Sequence, residues 1–271
     1  MADLNEKGTA LITGASSGFG ALYADRLARR GYDLVLVARN VERLRALAER
    51  LTQDTGRKVD VIGADLADRT DLARVEEVLR TRSDIALLVN NAGVAATTPL
   101  LQSDVAGMEA MVALNVQALM RLTYAAVPAF VARGKGAVVN IASIVAVAPE
   151  LLNGVYAGSK AFVLAFSQSL LNELAGTGVR VQVVLPGAAA TELWERSGGS
   201  LAQLPKAIVM SGADVVDAAL SGFDQGEFVT IPSLPDAGDW DAFERARKAL
   251  GPNLSRAVPA GRYGVKAAGR S

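Results

Sequence analysis

The chain has 271 residues, of which 51% are hydrophobic and 21% are charged, and its 28 basic residues balance its 28 acidic ones. This composition is typical of a globular protein, and zero net charge gives no global field that would favour nucleic acid or an anionic membrane as a partner. The sequence has no cysteine and no histidine, which excludes disulfides, thiol catalysis, Ser-His-Asp triads and metal sites built on imidazole or thiolate. We therefore predict no metal site.

Short apolar runs alternate with helical patterns along most of the chain. In one such pattern, Leu44, Leu47 and Leu51 recur at the spacing of a single helix face. Alternation of this kind predicts βαβ units and therefore an α/β fold with a parallel sheet and right-handed crossovers. The predicted strands are 10–13, 34–37, 59–62, 87–89, 138–141, 179–185 and 228–231, and two long helices are predicted at 104–133 and 155–175.

Two regions interrupt this alternation. Residues 188–212 form a long connection of the kind that usually serves as a lid or a binding loop. The tail after Leu250 is rich in Gly, Pro and Ala and carries basic residues without an acid, which is typical of a solvated terminus, although an ordered or subunit-bridging tail is the alternative. We predict one domain over residues 1–250, with the substrate loop at 188–212 and a flexible tail at 251–271.

The sequence shows no targeting or membrane segment. The N-terminal residues are polar and lack the basic-then-apolar pattern of a secretory signal. The longest uncharged run, residues 85–103, contains Asn90, Asn91 and Pro99, which a bilayer-spanning segment tolerates poorly. We therefore predict a soluble, cytoplasmic protein.

A glycine-rich turn follows the first predicted strand and precedes a helix. Gly14, Gly18 and Gly20 are spaced Gly-x3-Gly-x-Gly. Glycine lets the backbone approach a ligand closely, and the N-terminus of the following helix offers free N–H groups and a positive dipole end to a pyrophosphate. A glycine triplet between a strand and a helix therefore predicts a dinucleotide site.

This spacing resembles that of the short-chain dehydrogenase/reductase family, and further family landmarks follow in the family's order. They are Asn90-Asn91-Ala92-Gly93 after the fourth strand, Asn115 on the next helix, Ser143 at the fifth strand, Tyr156 and Lys160 in a Tyr-x3-Lys pair, and Pro186-Gly187-x3-Thr191 after the sixth strand. The resemblance covers about residues 7–235. It implies a doubly wound Rossmann-like sandwich, with a parallel seven-stranded sheet of order 3-2-1-4-5-6-7 and helices on both faces.

The end of the second strand indicates which cofactor binds. An acid there would hold the adenosine ribose hydroxyls and repel a 2′-phosphate, but the sequence has Ala38-Arg39-Asn40. The guanidinium of Arg39 can make a strong charge-assisted contact to a 2′-phosphate, and Ser16 can add a hydroxyl, so we predict NADP(H). The alternative for Arg39 is a solvated residue that opens a helix.

The resemblance implies the remaining cofactor contacts. Asp65 would hold the adenine ring, and the alternative is that it only caps a helix or a turn. Asn90 would contact the cofactor, and the alternative is that it only caps the end of a strand. Thr191 would contact the carboxamide of the nicotinamide. The full predicted cofactor site is Gly14, Ser16, Ser17, Gly18, Phe19, Gly20, Arg39, Asp65, Leu66, Asn91, Ala92, Gly93, Tyr156, Lys160, Pro186, Gly187 and Thr191. Two residues depart from the family's pattern: Phe19 replaces the usual Ile, and Ala189 replaces the usual Val or Ile. Neither departure removes a reactive group.

Carbonyl reduction needs a hydride, a proton and a stabilised alkoxide. Without His or Cys, Tyr156 is the natural proton donor, and Lys160 lies one helical turn on, where its cation would lower the pKa of that tyrosine. Ser143 can hydrogen-bond the substrate oxygen. The resemblance implies that Lys160 also binds the nicotinamide ribose and that Asn115 positions a water that relays protons to the lysine.

Family resemblance also places the substrate pocket beside the nicotinamide. The candidate lining is apolar, which suits a largely apolar aldehyde or ketone, and consists of Val94, Ile144, Val145, Leu151, Leu152, Val155 and Trp194. We predict an NADPH-dependent reductase with Tyr156 as general acid. An NADP-linked alcohol dehydrogenase or 3-oxoacyl reductase is the alternative, and a dinucleotide sensor or scaffold is the non-enzymatic one. The two long helices predict a homodimer or homotetramer, although helices packed within one chain fit the same pattern.

Overall fold

A parallel seven-stranded sheet organises the chain, in a computed structural model that describes residues 7–192 and 204–265. Its strands are β1 (Thr9–Thr13), β2 (Asp33–Ala38), β3 (Val59–Gly63), β4 (Ile85–Asn90), β5 (Gly136–Ile141), β6 (Val179–Val184) and β9 (Val229–Thr230). Their order in the sheet is β3-β2-β1-β4-β5-β6-β9, and every neighbouring pair is parallel, which confirms the predicted topology. A separate parallel pair, β7 (Ala189–Ala190) and β8 (Met210–Ser211), lies in the predicted substrate loop.

Helices cover both faces of the sheet. They are α1 (Gly18–Arg29), α2 (Val41–Thr55), α3 (Arg69–Thr81), α4 (Val105–Val112), α5 (Leu119–Ala132), α6 (Gly154–Glu173), α7 (Gly212–Gln225) and α8 (Ala237–Ala249). One apolar core joins α1, α2 and α7 to the sheet, and a second joins α3 and α5 to the sheet. Side-chain oxygens of Asn40, Asp68 and Asn153 accept hydrogen bonds from the first turns of α2, α3 and α6, which fixes where these helices begin.

The predicted helix at 104–133 is continuous but irregular. Residues Ala113–Ala118 form a π-helical turn between α4 and α5, and Asn115 lies buried within it. Such turns are frequent at functional sites, because the extra residue redirects a side chain. By length and composition alone, Val105–Ala132 could cross a membrane. Its buried residues, among them Leu122 and Phe130, instead pack in the core with α3 and the sheet, as in a soluble protein.

The described chain divides into two compact units, with the division between Ser233 and Leu234. The first unit contains both sheets and α1 to α7. The second contains α8 and two short 3-10 turns, Gly251–Asn253 and Gly261–Tyr263. The division lies before the boundary proposed at residue 250, and both that boundary and the flexibility of 251–271 stay predictions.

Candidate active site

One cavity of about 1070 Å³ opens at the carboxyl ends of the parallel strands. This is where open α/β sheets bind their ligands, because the strand order reverses there and the connecting loops separate. The turns after β2 and β3 line one end of the cavity, which we call the adenosine end, with Arg39 and Asp65. The segments after β5 and β6 line the other end, which we call the substrate end, with Ile144 and Leu152.

The glycine turn lies between these ends and packs tightly. Gly14 and Gly18 have φ angles of +67° and +53°, which disfavour other residues. A Cβ atom on Gly14 would lie 2.9 Å from the Cα atom of Ala92, and one on Gly20 would lie 2.3 Å from the Gly14 carbonyl oxygen. Ser17 begins α1 without a capping side-chain hydrogen bond, which leaves its hydroxyl and the N–H groups of the first turn for a ligand.

Three of the four predicted catalytic residues share one wall of the cavity. Ser143 begins the turn after β5, while Tyr156 and Lys160 lie in the first turns of α6. Their exposed fractions are 9%, 6% and 7%, so all three are buried. The Lys160 Nζ atom donates a hydrogen bond to the Ile141 carbonyl at 2.9 Å and lies 5.9 Å from the centroid of the Tyr156 ring. The fold therefore brings the proposed acid, cation and hydroxyl donor together.

Asn115 lies behind this wall and does not line the cavity itself. Its Nδ2 atom donates to the Val94 carbonyl at 2.9 Å and to the Ser159 Oγ atom at 3.1 Å, and its Oδ1 atom accepts from the Val94 N–H at 2.9 Å. A Cβ atom on Gly93 would lie 3.1 Å from Asn115 Oδ1 and 3.5 Å from Lys160 Nζ. Gly93 thus keeps the space between Asn115 and Lys160 open.

Comparison with known proteins identifies the family. The model of the short chain dehydrogenase family matches residues 8–200. The chain belongs to this family. It is therefore an oxidoreductase that acts on CH–OH or C=O groups, as the motifs predict.

Two relatives of this short-chain dehydrogenase illustrate the range of substrates in the family. Sulfoacetaldehyde reductase 2 from Chromohalobacter salexigens is 40% identical over 196 residues, which cover 71% of this chain and 77% of the relative. Serine 3-dehydrogenase from Agrobacterium fabrum is 40% identical over 196 residues, with coverages of 71% and 77%.

Solved structures of similar proteins match over almost the whole chain. A short-chain dehydrogenase from Sphingobium yanoikuyae in complex with NADPH is 49% identical with a TM-score of 0.91, covering 93% of this chain and 98% of that one. The bulky-bulky ketone specific alcohol dehydrogenase from Comamonas testosteroni is 45% identical with a TM-score of 0.86, covering 94% and 98%.

The electrostatics of the short-chain dehydrogenase site differ from the sequence prediction. Burial raises the pKa of Tyr156, and a hydrogen bond with Ser143 only partly opposes that rise. Burial also lowers the pKa of Lys160 to about 8. The prediction that Lys160 lowers the pKa of Tyr156 is therefore wrong for the protein alone, since loss of solvent disfavours the charged form of both groups.

The structure places most of the predicted cofactor site on the cavity. Every residue of that site lines it except Gly20, which packs against Gly14 instead. The predicted contact of Asn90 is wrong, because its buried side chain donates to Thr123 and Asn140 in the interior. Asn91 lines the cavity and also ties the glycine turn, since its Nδ2 atom donates to the Thr13 carbonyl at 2.8 Å.

The adenosine end contains a second arginine that the sequence analysis missed. Arg43 lies in the first turn of α2 and lines the cavity with Arg39 and Asn40. Its Nη1 atom lies 3.0 Å from Glu192 Oε2, while Arg39 Nη1 lies 3.8 Å from Asp65 Oδ2. Arg43 follows Arg39 by four residues and lies in the first turn of the helix that begins at Val41, and this closeness in the sequence was the available signal.

The substrate end is largely apolar in the part of the chain that the structure describes. The predicted residues that line it are Val94, Ile144, Val145, Leu151 and Leu152. Val155 packs instead in a small buried cluster with Ala96 and Met111, and Trp194 lies outside the described residues. The predicted substrate loop at 188–212 also lines the cavity. Of its residues, sequence analysis assigned only Trp194 to the substrate end and missed Leu204, Ala207, Ile208, Val209 and Met210. Val215 and Pro232, which lie beyond that loop, also line the cavity and were missed.

Proposed function

We propose that this short-chain dehydrogenase uses NADPH to reduce the carbonyl group of a largely apolar aldehyde or ketone, with Tyr156 as general acid. The observation that carries this proposal is the convergence of Ser143, Tyr156 and Lys160 on one buried wall of the cavity. A protein that only binds a dinucleotide does not need a buried tyrosine acid beside a hydroxyl donor, which argues against a sensor or scaffold.

NADP(H) is the cofactor, as Arg39 predicts. Two arginines line the adenosine end, where a guanidinium can hold a 2′-phosphate. The glycine turn and Gly93 leave room that a Cβ atom would fill, so the residues present fit a bound dinucleotide. The Sphingobium yanoikuyae structure, which is in complex with NADPH, covers 93% of this chain.

In this proposal each catalytic side chain has a separate task. When bound, NADPH supplies the hydride. Tyr156 donates a proton to the developing alkoxide, and its raised pKa keeps the phenol protonated at neutral pH. The Ser143 hydroxyl donates a long hydrogen bond of 3.4 Å to the Pro186 carbonyl and accepts one of 3.4 Å from the Val145 N–H. Such long bonds let the hydroxyl turn toward the substrate oxygen.

Lys160 and Asn115 organise the site behind the tyrosine. Lys160 Nζ uses one donor on the Ile141 carbonyl at 2.9 Å, which leaves two donors for the cofactor ribose and for a water. Asn115 holds the Val94 backbone through both its N–H and its carbonyl. It thereby positions the segment that forms the edge of the substrate end.

The apolar substrate end supports a neutral carbonyl substrate. The Comamonas testosteroni relative is by name specific for bulky-bulky ketones, whereas sulfoacetaldehyde and serine carry charged groups. Among the described residues, Lys160 is the single Lys or Arg that lines the substrate end, and it is buried against Ile141. Within residues 7–192 and 204–265, no other cation lines the substrate end to pair with an anionic substrate.

Exposed apolar side chains on α5 and α6, the helix that contains Tyr156 and Lys160, support a homo-oligomer. Tyr124 on α5 is 69% exposed and stacks on Phe166 of α6 with a centroid distance of 6.4 Å. Leu171 of α6 is also partly exposed. We propose that α5 and α6 pair with a second copy, which light scattering of the purified protein tests.

A cytoplasmic location stays a prediction.

NADPH consumption and the Tyr156→Phe variant together test the proposed function. Absorbance at 340 nm reports oxidation of NADPH against aliphatic and aromatic ketones with two apolar arms, and against sulfoacetaldehyde as the anionic comparison. We expect Tyr156→Phe to retain NADPH affinity while kcat falls by about 100-fold to 10,000-fold. Tyr124→Phe, on the exposed face of α5, is the matched control and should keep full activity. Unchanged turnover in Tyr156→Phe would overturn the assignment of the acid.

A further inference from the structure

Both arginines at the adenosine end are occupied by carboxylates from other elements. Arg43 on α2 binds Glu192 through Nη1, at 3.2 Å to Oε1 and 3.0 Å to Oε2. Arg39 after β2 lies 3.8 Å from Asp65 Oδ2 after β3. All four side chains line the same cavity, so the cationic end of the site contains its own counter-anions.

Glu192 reaches Arg43 from the opposite side of the glycine turn. It directly follows Thr191, whose Cβ atom lies 3.7 Å from the position of a Cβ on Gly18. The chain that leaves β7 therefore passes the start of α1, and the Glu192 side chain reaches Arg43 in the first turn of α2. The Arg43–Glu192 pair spans the cavity between these two elements.

The Arg43–Glu192 ion pair is weak, so Arg43 can readily exchange Glu192 for another anion. The side chains of Arg43 and Glu192 are 50% and 44% exposed, and ion pairs with that exposure contribute about 0–1 kcal/mol. A phosphate offers more acceptor oxygens and up to two negative charges, so it can bind two guanidinium nitrogens side by side, whereas both Glu192 oxygens contact the one Nη1 atom of Arg43. A carboxylate left close to that phosphate would repel it.

We propose that Arg43 is a second ligand of the cofactor 2′-phosphate and that Glu192 is a placeholder anion, which Arg43 exchanges for that phosphate. The inference rests on the proposed use of NADP(H). It assigns cofactor discrimination to Arg43 in addition to Arg39. It also makes Glu192 a competitor, because the carboxylate must give up Arg43 when a 2′-phosphate binds and stays paired when the nucleotide lacks one.

A different role for the pair predicts effects of opposite sign. If the Arg43–Glu192 bridge stayed closed over a bound cofactor, loss of Glu192 would weaken nucleotides with and without the 2′-phosphate alike. If Glu192 is a placeholder, its loss strengthens binding of the 2′-phosphorylated nucleotide alone. The sign of the effect of Glu192→Gln therefore decides between exchange and bridge.

Calorimetric titration with two small nucleotides measures this sign without any catalytic step. Adenosine 2′,5′-bisphosphate carries the 2′-phosphate, and adenosine 5′-diphosphate lacks it. We expect Glu192→Gln to bind the bisphosphate about twofold to tenfold more tightly, with the gain decreasing at high salt, and to bind the diphosphate as the wild type does. We expect Arg43→Gln to bind the bisphosphate about 10-fold to 100-fold more weakly, and the diphosphate unchanged.

A control variant and a double variant separate this exchange from a general change of charge. Asp224→Asn removes the partner of Arg30, an exposed pair at 2.9 Å outside the cavity, and should leave both affinities unchanged. In the Arg43→Gln background, the gain from Glu192→Gln should shrink, because the Arg43–Glu192 pair is already absent. Equal weakening of both nucleotides by Glu192→Gln, or an Arg43→Gln variant with wild-type affinity for the bisphosphate, would overturn the inference. If the wild-type protein bound the bisphosphate and the diphosphate with equal affinity, the proposed use of NADP(H) itself would be overturned.

Discussion

The two ends of the cavity use polar side chains in opposite ways. At the catalytic wall Ser143, Tyr156 and Lys160 are each less than one tenth exposed. At the adenosine end, the side chains of Arg39 and Arg43 are 71% and 50% exposed. Burial fixes geometry and shifts pKa values, because the surrounding core leaves few alternative positions and little solvent. Exposure leaves the arginines screened, weakly paired and free to exchange partners.

This difference separates catalytic power from cofactor choice. A change at the buried wall should alter the rate or the protonation equilibrium and leave nucleotide preference intact. A change at the exposed end should alter nucleotide preference and leave the chemical step intact. Each prediction below tests one side of this separation.

Among the changes considered below, removal of the Ser143 hydroxyl should have the largest effect. Its oxygen is placed to donate a hydrogen bond to the developing alkoxide, and loss of such a donor costs about 100-fold to 1,000-fold in kcat. Ser143→Ala should therefore lose that factor in kcat with the NADPH affinity unchanged, as steady-state kinetics and a binding titration measure. Ser169→Ala, on the exposed side of α6, is the matched control. A weaker NADPH affinity in Ser143→Ala would break the separation.

Reversal of charge at Arg39 should produce the converse result. Arg39→Glu replaces a cation that lines the adenosine end with an acid that can hold ribose hydroxyls. We expect the ratio of kcat/KM for NADPH to that for NADH to fall by about 100-fold, while kcat at saturating cofactor stays close to wild type. Arg45→Glu makes the same change on α2 outside the cavity lining and should keep the wild-type ratio. Retained NADPH preference in Arg39→Glu would contradict the assignment.

How far the sequence could predict this site depends on how local each feature is. The glycine turn and the pair of Tyr156 and Lys160 are short spacings within one turn or one helix, so the pattern alone located them. Arg43 and Glu192 are 149 positions apart, and only the folded chain brings them together. The pKa of Tyr156 depends on burial, which no spacing encodes.

Asn90 and Asn91 show the same limit over a single residue. Successive side chains of a strand point to opposite sides. At the end of β4 this places Asn90 in a buried network with Thr123 and Asn140, while Asn91 lines the cavity. The motif identified the segment, but the sheet had to be built before its two amides could be told apart.

The buried lysine should make stability depend on pH. Burial lowers the pKa of Lys160 from 10.5 to about 8. Between these values the unfolded chain binds more protons than the folded chain, so the free energy of unfolding rises with pH in this window. Relative to Lys160→Met, the wild type should gain about 3 kcal/mol from pH 8 to pH 10.5, measured by denaturant unfolding. Exposed Lys135→Met is the control, and parallel curves for wild type and Lys160→Met would contradict the burial of the charge.

The apolar rim of the substrate end should give the smallest effect and the sharpest specificity. Leu151 lines the cavity and is 56% exposed, so a carboxylate there can stay hydrated and the fold should tolerate Leu151→Asp. A ketone with two large apolar arms would lose contact with this rim, and its kcat/KM should fall by about tenfold, while a small ketone such as acetone should be unaffected. Leu101→Asp, 94% exposed and outside the cavity lining, should change neither. An equal loss for both ketones would mean that Leu151 acts on the catalytic wall rather than on substrate size, and the apolar rim would then not set the substrate specificity.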